Sequence, residues 1–316
     1  MSAVPTPLHH SRVALPSGDA HAQRWPLLID FLAERFEHVG RSEWLRRLSD
    51  GLVLDADGTA LSPTAAYAPG STVFYLRHVS DERPIDAVER VVFEDELIVV
   101  ADKPHFLPVV PCGRHVQHNL RTRLQARLAC HDLNPAHRLD MDTAGLVLFV
   151  KQAQHRNAYQ GLFRNREVHK VYEAIAPDLP NAVFPMERRS RLARGEHFMQ
   201  AVEVAGEVNA VTRIEKIEVR GPWARYRLMP ETGQRHQLRA HMNALGAAIA
   251  SDPIYPVLLP PDRYYVEREP LRLLAKELRF VDPIHGQDRS FISAISLEFP
   301  ALNAAQVDAR LADCGR

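Results

Sequence analysis

The chain has 316 residues, 46% of them hydrophobic and 25% charged, the balance of an ordinary soluble globular protein with length for about two domains. No apolar run approaches the ~18–20 residues of a membrane span, and the first residues show no basic stretch followed by an apolar core, so neither a membrane span nor a secretory signal is expected. Three cysteines (Cys112, Cys130, Cys314), odd in number and at no metal-binding spacing, fit a reducing cytoplasm. Net charge is zero, yet between Cys112 and Tyr172 ten lysines and arginines meet four aspartates and glutamates, a local +6 that the remainder balances with −6. A basic patch on a neutral chain is the footprint of a polyanionic partner, set against the plainer reading of arginines on solvated helix faces.

In chain order, residues 1–20 carry Pro5, Pro7, Pro16 and Gly18 without apolar periodicity and read as a mobile arm. A helix is predicted over 27–36, with Leu28, Phe31, Leu32 and Phe36 on one stripe, and a second over 42–48 with Ser42 as N-cap. Residues 51–58 read as a strand and tight turn, and 70–76 as another strand, so 21–82 makes a small α/β module. The polar stretch 77–84 reads as a linker to a second domain, 83–316. That domain opens with a strand at 97–101 and a loop over 103–111 whose prolines forbid a helix. A helix over 120–128, a strand at 145–150 and a helix over 155–165 follow. Strands are predicted at 168–176, 199–206, 208–217 and 224–229, then a helix over 235–245 closed by Gly246. Strands dominate without strict alternation with helices, which makes the expected class α+β with a mostly antiparallel mixed sheet.

The stretch His137–Lys151, HRLDMDTAGLVLFVK, stands apart. Its second half is a β-forming apolar run suited to a strand buried on both faces, and its first half places His137, Arg138 and Asp140 at the mouth of that strand. Taken alone, Asp140 reads as a turn residue, because aspartate is common in turns.

The surroundings change that reading. The stretch resembles the central motif of RluA-type pseudouridine synthases, H-R-L-D-x-x-T-S-G-L-L-L-F-A-K. Lys170-Val-Tyr172-Glu-Ala174 is similar to that family's K-x-Y-x-A strand, and Glu231-Thr-Gly-Gln-Arg-His236-Gln-Leu-Arg239-Ala-His241 to its E-T-G-R-T-H-Q-I-R-V-H segment. The segments 94–104 and 270–275 resemble the first and last strands of the same pattern, so five matches in order cover roughly residues 90–300. The helix–helix–strand–strand order before them, with Arg41, Arg46 and Arg47 on the second helix, more loosely resembles the small RNA-binding α-L module that precedes many such catalytic domains; a purely structural module is the alternative.

The resemblance implies an enzyme that converts uridine in RNA, ribosomal favoured over transfer, to pseudouridine. The base leaves C1′ through N1 and rejoins it through C5, a reaction without net redox, cofactor or metal. No G-x-x-x-x-G-K-[ST] or G-x-G-x-x-G turn is present, and His236 and His241 are not in an H-E-x-x-H arrangement. The family's catalytic carboxylate falls on Asp140, which either attacks C1′ or takes the 2′ proton. Its active-site tyrosine falls on Tyr172, against the base, and its carboxylate-pairing cation on Arg239. Arg138 matches the residue that fills the space left by a flipped base, a role suited to a planar cation. His137 and Thr143 are expected to shape the loop, with Arg235 and His236 among the RNA-binding residues.

Three departures stand out. The chain has Gln234-Arg235 where the family has R-T, shifting the basic residue by one position; on a helix that is a rotation of about 100°. Ser251-Asp252 replaces Gly-Asp, and Ala144 replaces Ser. Two other functions fit the residues less well. A catalytically idle RNA-binding scaffold is disfavoured by the intact Asp140, Tyr172 and Arg239. A glycoside hydrolase using Asp140 and Asp142 is disfavoured because two carboxylates on one turn cannot flank a sugar ring.

Overall fold

The computed structural model describes residues 10–37, 39–76, 82, 85–112, 115, 117–195, 197, 199–260 and 268–301. The chain divides into two compact units, Met1–Glu82 and Arg83–Arg316. Of the proposed linker 77–84, only Glu82 is described; the rest lies outside the described residues, as do residues 1–9 and Cys314.

In the N-terminal unit, helices α1 (Asp19–Arg24), α2 (Leu28–Arg35) and α3 (Arg41–Ser49) accompany a three-stranded sheet of order β1-β3-β2, made of β1 (His10–Ala14), β2 (Val53–Leu54) and β3 (Thr72–Leu76). Helix α2 buries Leu28, Ile29, Phe31 and Leu32, the i, i+3, i+4 face that its apolar spacing predicts. Its first turn is closed by Asp30, whose carboxylate accepts the Leu27 N–H at 3.1 Å. Trp44 of α3 is fully buried, edge-on to Tyr75 at 5.1 Å between centroids.

Two expectations need correction here. The stretch read as a mobile arm contains β1, which pairs antiparallel along β3 with Val13 opposite Val73; its order comes from a neighbour 60 residues away rather than from its own periodicity. The helix over 42–48 starts one residue earlier, with Gly40 in the capping position, so Ser42 is not the N-cap. The arginines of α3 are also committed within the unit. Arg41 pairs with Asp30 at 2.8 Å, Arg46 with Glu43 at 2.8 Å and Asp50 at 3.0 Å. Arg47 pairs with Glu43 at 2.8 Å, is only 8% exposed, and lies over the Trp44 ring. Each of these three α3 arginines thus has a carboxylate partner within the unit.

The second unit is built on one large mixed sheet. Its eleven strands among the described residues are β4 (Arg90–Glu94), β5 (Ile98–Lys103), β6 (Asn134–Pro135), β7 (Ala144–Val150), β8 (His169–Pro177), β9 (Met186–Arg194), β10 (Ala201–Val204), β11 (Ala210–Arg220), β12 (Trp223–Pro230), β13 (Leu273–Val281) and β14 (Asp288–Ile292). The order is β10-β9-β11-β12-β8-β13-β7-β5-β4, with β14 beside β13 and β6 beside β7. Every pairing is antiparallel except β13 with β7, so the class is α+β as expected. Strand β9 was not foreseen: MERRSRLAR is charged throughout, and it is ordered by alternation, with Ser190 and Leu192 inward and Arg188 reaching Glu203 of β10 at 2.9 Å.

Strand β7 is the axis of the unit, with all seven residues buried. Leu146, Leu148 and Val150 face one layer, where Tyr159 and Leu162 of α5 (Arg156–Arg164) cover them. Val147 and Phe149 face the other, against Leu120 and Leu124 of α4 (Leu120–Arg127). Strand periodicity thus divides one apolar run between two cores, which is why the run shows no polar alternation. Helix α6 (Gln237–Ala244) lies over the other half of the sheet, with Leu238 and Met242 against Ala174, Ile214, Ala224 and Leu228.

Gly145 is where β7 meets its parallel neighbour, opposite Ala275, at φ +110°. A Cβ there would stand 2.2 Å from the Ala275 carbonyl oxygen and 2.7 Å from its nitrogen, backbone atoms held in the sheet. Gly145→Ala is accordingly expected to destabilise the chain by about 3 kcal/mol or more in urea unfolding; a loss below about 1 kcal/mol would mean that the strand pair adapts. Replacing Arg41 and Arg46 together by Gln is expected to leave the affinity for RNA and its salt slope unchanged, and a flatter slope would show that α3 does engage phosphates.

Candidate active site

Asp140 lies in the turn between β6 and β7, closed by a 3.1 Å bond from the Thr143 N–H to the Asp140 carbonyl. The turn is fastened from behind. Lys103, at the end of β5 and 0% exposed, donates its ammonium to the carbonyls of Met141 (3.0 Å), Leu107 (2.8 Å) and Pro104 (3.0 Å). Burial drags its pKa down to about 7, with Asp142 and Asp140 opposing that pull. His105 Nδ1 donates to the Asp142 carbonyl at 2.7 Å, and the Asp142 carboxylate, buried, pairs with Arg268. Asp142 is thus a structural anchor and Asp140 is the carboxylate left facing out, its side chain 34% exposed.

It faces a cavity of about 700 Å³, lined by Arg138, Asp140, Thr143, Tyr172, Arg235 and Arg239 among others. Arg239, on the first turns of α6 and 1% exposed, reaches Asp140 Oδ2 with Nη1 at 3.2 Å. Its other edge is held by Asp252: Nε to Oδ2 at 2.8 Å and Nη2 to Oδ1 at 2.6 Å, a bidentate pair. Asp252 is itself fixed by the N–H groups of Ile254 (2.8 Å) and Tyr255 (3.1 Å). Burial works against the charge on Arg239, but Asp252 and Asp140 outweigh it and hold the guanidinium above its ordinary value.

Burial alone would push the Asp140 carboxyl up; the positive neighbours His236, Arg239 and Arg235 reverse this and hold it below its ordinary value. His236 is itself pushed down by burial, with Asp140 opposing that pull. Its Nε2 lies 3.6 Å from Asp140 Oδ2, and its backbone sits in the left-handed region at φ 55° as the N-cap of α6. A non-glycine residue there is uncommon, and strain of this kind clusters at functional sites.

Tyr172 stands on β8 between Leu228 of β12 and Ala275 of β13. Burial and then Asp140 raise its pKa, so the phenol stays neutral. His137 accepts the Leu148 N–H at Nε2 (3.1 Å) and stacks on Phe163 at 4.3 Å; burial and Lys170 push its pKa down to about 3, so it shapes the loop as a neutral ring. Arg138 is exposed at the cavity and makes no ion pair among the described residues. Arg235 is exposed and precedes α6, so the rotation expected for a residue on a helix does not apply; its charge still acts on Asp140.

The sequence reading passed over Asp252 and Lys103. Asp252 drew notice only because Ser251 precedes it in place of glycine, and Ser251 has φ 60°, a conformation that favours glycine. Lys103 reads in the sequence as the first residue of a proline-rich loop, and three carbonyls converging on a buried ammonium leave no mark there. Among the described residues no three metal-capable side chains are gathered, and no helix is long and apolar enough to cross a membrane.

The geometry has counterparts in known proteins. The family model of RNA pseudouridylate synthase matches residues 97–244. The dual-specificity RNA pseudouridine synthase RluA of Vibrio cholerae is 35% identical over 210 residues, covering 63% of this chain and 80% of that protein. The ribosomal large subunit pseudouridine synthase D of Xanthomonas campestris is 28% identical over 295 residues, 87% of this chain and 86% of that protein. The mitochondrial tRNA pseudouridine(32) synthase of Saccharomyces cerevisiae is 30% identical over 239 residues, 74% of this chain and 51% of that protein, so the chain spans about half the length of this relative. The solved structure of human RNA pseudouridylate synthase domain containing 1 shares the fold, with a TM-score of 0.55 at 17% identity over 73% of this chain and 97% of that one. A carboxylate presented by a fixed arginine beside a strand tyrosine, on this sheet and with these relatives, leads to one conclusion: the chain belongs to the RluA-type family of RNA pseudouridine synthases.

Proposed function

We propose that the chain isomerises uridine to pseudouridine in structured RNA, ribosomal RNA first, with Asp140 as the catalytic carboxylate. The observation that carries the reading is the Asp140–Arg239 contact of 3.2 Å inside a cavity whose described lining holds a single carboxylate among several cations. The preference for ribosomal RNA rests on the Xanthomonas campestris relative, which is named for the large ribosomal subunit and matches most of both chains. The compartment we propose is the cytoplasm.

The target nucleotide leaves its stack, at a cost of a few kcal/mol, and its base enters the cavity against Tyr172. Arg138, exposed at the cavity, takes the place of the extruded base. Asp140, kept ionised by Arg239, acts at the ribose, either bonding to C1′ or removing the 2′ proton. The N1–C1′ bond breaks and the base turns; C5 then bonds to C1′ as the Asp140–C1′ bond breaks, or, on the other route, as Asp140 returns the proton to C2′. The C5 proton is then lost and N1 gains one, so atoms and electrons balance without a redox partner. Tyr172 remains a neutral ring that guides the base. The N-terminal unit, delimited by the sequence as residues 21–82, we take as an accessory module rather than the main RNA contact, because its α3 arginines are paired internally.

Incubating ribosomal and transfer RNA from a deletion strain with the purified protein, then mapping pseudouridine, tests the reading. New pseudouridine in ribosomal RNA is expected; product in transfer RNA alone would move the substrate, and product in neither would overturn the assignment. Asp140→Asn should lower turnover by about 10²–10⁴-fold while RNA binding persists; turnover within tenfold of wild type would remove Asp140 from its role. Because Arg239 holds the Asp140 pKa down, Arg239→Met should move the acid limb of the rate–pH profile to higher pH, the carboxylate then protonating sooner as pH falls. An unmoved limb would mean that Arg239 acts otherwise.

A further inference from the structure

The cavity opens beside a second groove of about 680 Å³, and Lys170 and Pro230 line both. Lys170 stands on β8 two residues before Tyr172, so the two side chains leave the same face of the strand. It is half-buried, its ammonium donates to the Thr232 carbonyl at 3.2 Å, and among the described residues it makes no ion pair. That is uncommon for a lysine with so little water around it, since a desolvated charge is ordinarily paired. The carboxylates lining the groove are Glu167, Glu215 and Glu231, of which Glu215 is taken by Arg213 at 3.1 Å and Arg227 at 3.2 Å. Three further arginines near Lys170 make no ion pair among the described residues. Arg166 shares the groove, and Arg138 and Arg164 share the cavity.

We propose that Lys170 is a positioning residue for the substrate strand: its ammonium binds the backbone phosphate adjoining the flipped uridine, at the rim where the cavity passes into the groove. The inference rests on the uridine-isomerising reading and deepens it. An anion seated there holds the ribose of the target nucleotide at the depth of Asp140 while Tyr172, on the same strand face, holds the base. Burial, and then Arg166, draw the Lys170 pKa down to about 8, so a phosphate beside it would favour the charged form that its surroundings disfavour. A structural alternative is that Lys170 only ties β8 to the backbone at Thr232.

Lys170→Gln keeps a donor and loses the charge; Lys170→Arg keeps the charge. Wild type and both variants are assayed on ribosomal and transfer RNA from the deletion strain, over a range of salt, with thermal melting alongside. For Lys170→Gln, KM should rise about tenfold or more while kcat falls less than threefold, and the dependence of log(kcat/KM) on log salt should flatten by about 0.7–0.9, one phosphate contact. Lys170→Arg should recover KM to within about threefold. An unchanged KM and salt slope for Lys170→Gln would overturn the proposal. So would equal losses of melting temperature and kcat in both variants with the slope unaltered, which is the signature of the structural tie. Wild-type protein that makes no pseudouridine in either RNA pool would overturn the parent reading as well, so the two failures are distinguishable. If Lys170→Gln does not fold, Lys170→Met in an Asp140→Asn background, read by RNA binding against salt, gives the same slope test.

Discussion

One guanidinium, that of Arg239, is shared between two carboxylates of different kinds. Asp252 grips its Nε edge in a bidentate pair at 2.8 and 2.6 Å, and Asp140 receives the remaining nitrogen at 3.2 Å. The first contact is buried and positional; the second faces the cavity and is electrostatic. Dismantling such a buried pair by removing one partner typically costs about 3–5 kcal/mol, because a charge is left in the interior without its counterion. The Asp252–Arg239 pair therefore fixes where the cation stands before substrate arrives, and Asp140 is favoured in its ionised form although burial opposes that charge. Preorganised charge of this kind needs no rearrangement when the reaction begins.

Much of the second unit serves that arrangement. Helix α6 carries Arg239, and packing of Leu238 and Met242 on the sheet sets its height. The turn bearing Asp140 is held from the opposite side by Lys103, His105 and the Asp142–Arg268 pair, which immobilise its backbone and leave one side chain free. Gly145 allows β7 and β13 to run close enough together for the turn to sit beside β8, where Tyr172 stands. The cavity gathers Arg138, Arg164, Lys170 and Arg235 beside the Asp140–Arg239 pair. That excess of cations suits a polyanion, and it explains how a chain of zero net charge presents an RNA-binding face.

The sequence displayed features that depend on local pattern or on an ordered set of motifs. The run 145–150 reads as a buried strand because it is apolar, and the amphipathic spacing of 27–36 reads as a helix; the structure has them at Ala144–Val150 and Leu28–Arg35. Features that depend on distant partners were not legible. Strand β1 owes its order to β3, and β9 hides its alternation under five charged residues, of which Arg188 finds its cross-strand partner, Glu203, only in the fold. The arginines of α3 look like a phosphate-binding row in sequence, but Asp30, Glu43 and Asp50 neutralise them in space. Asp252 is 13 residues from Arg239 and belongs to a short irregular segment, so nothing local shows that it completes the ion pair.

The central claim is that the Asp252–Arg239 pair sets the ionisation of Asp140. It is tested most directly by a carbon-13 carboxyl NMR titration of Asp140 in the wild-type protein and in Asp252→Asn. The account predicts a wild-type midpoint below the ordinary aspartate value of about 3.9, and a midpoint shifted upward in Asp252→Asn, where the guanidinium is no longer held in place. The same midpoint in both proteins, with the fold intact, would contradict it.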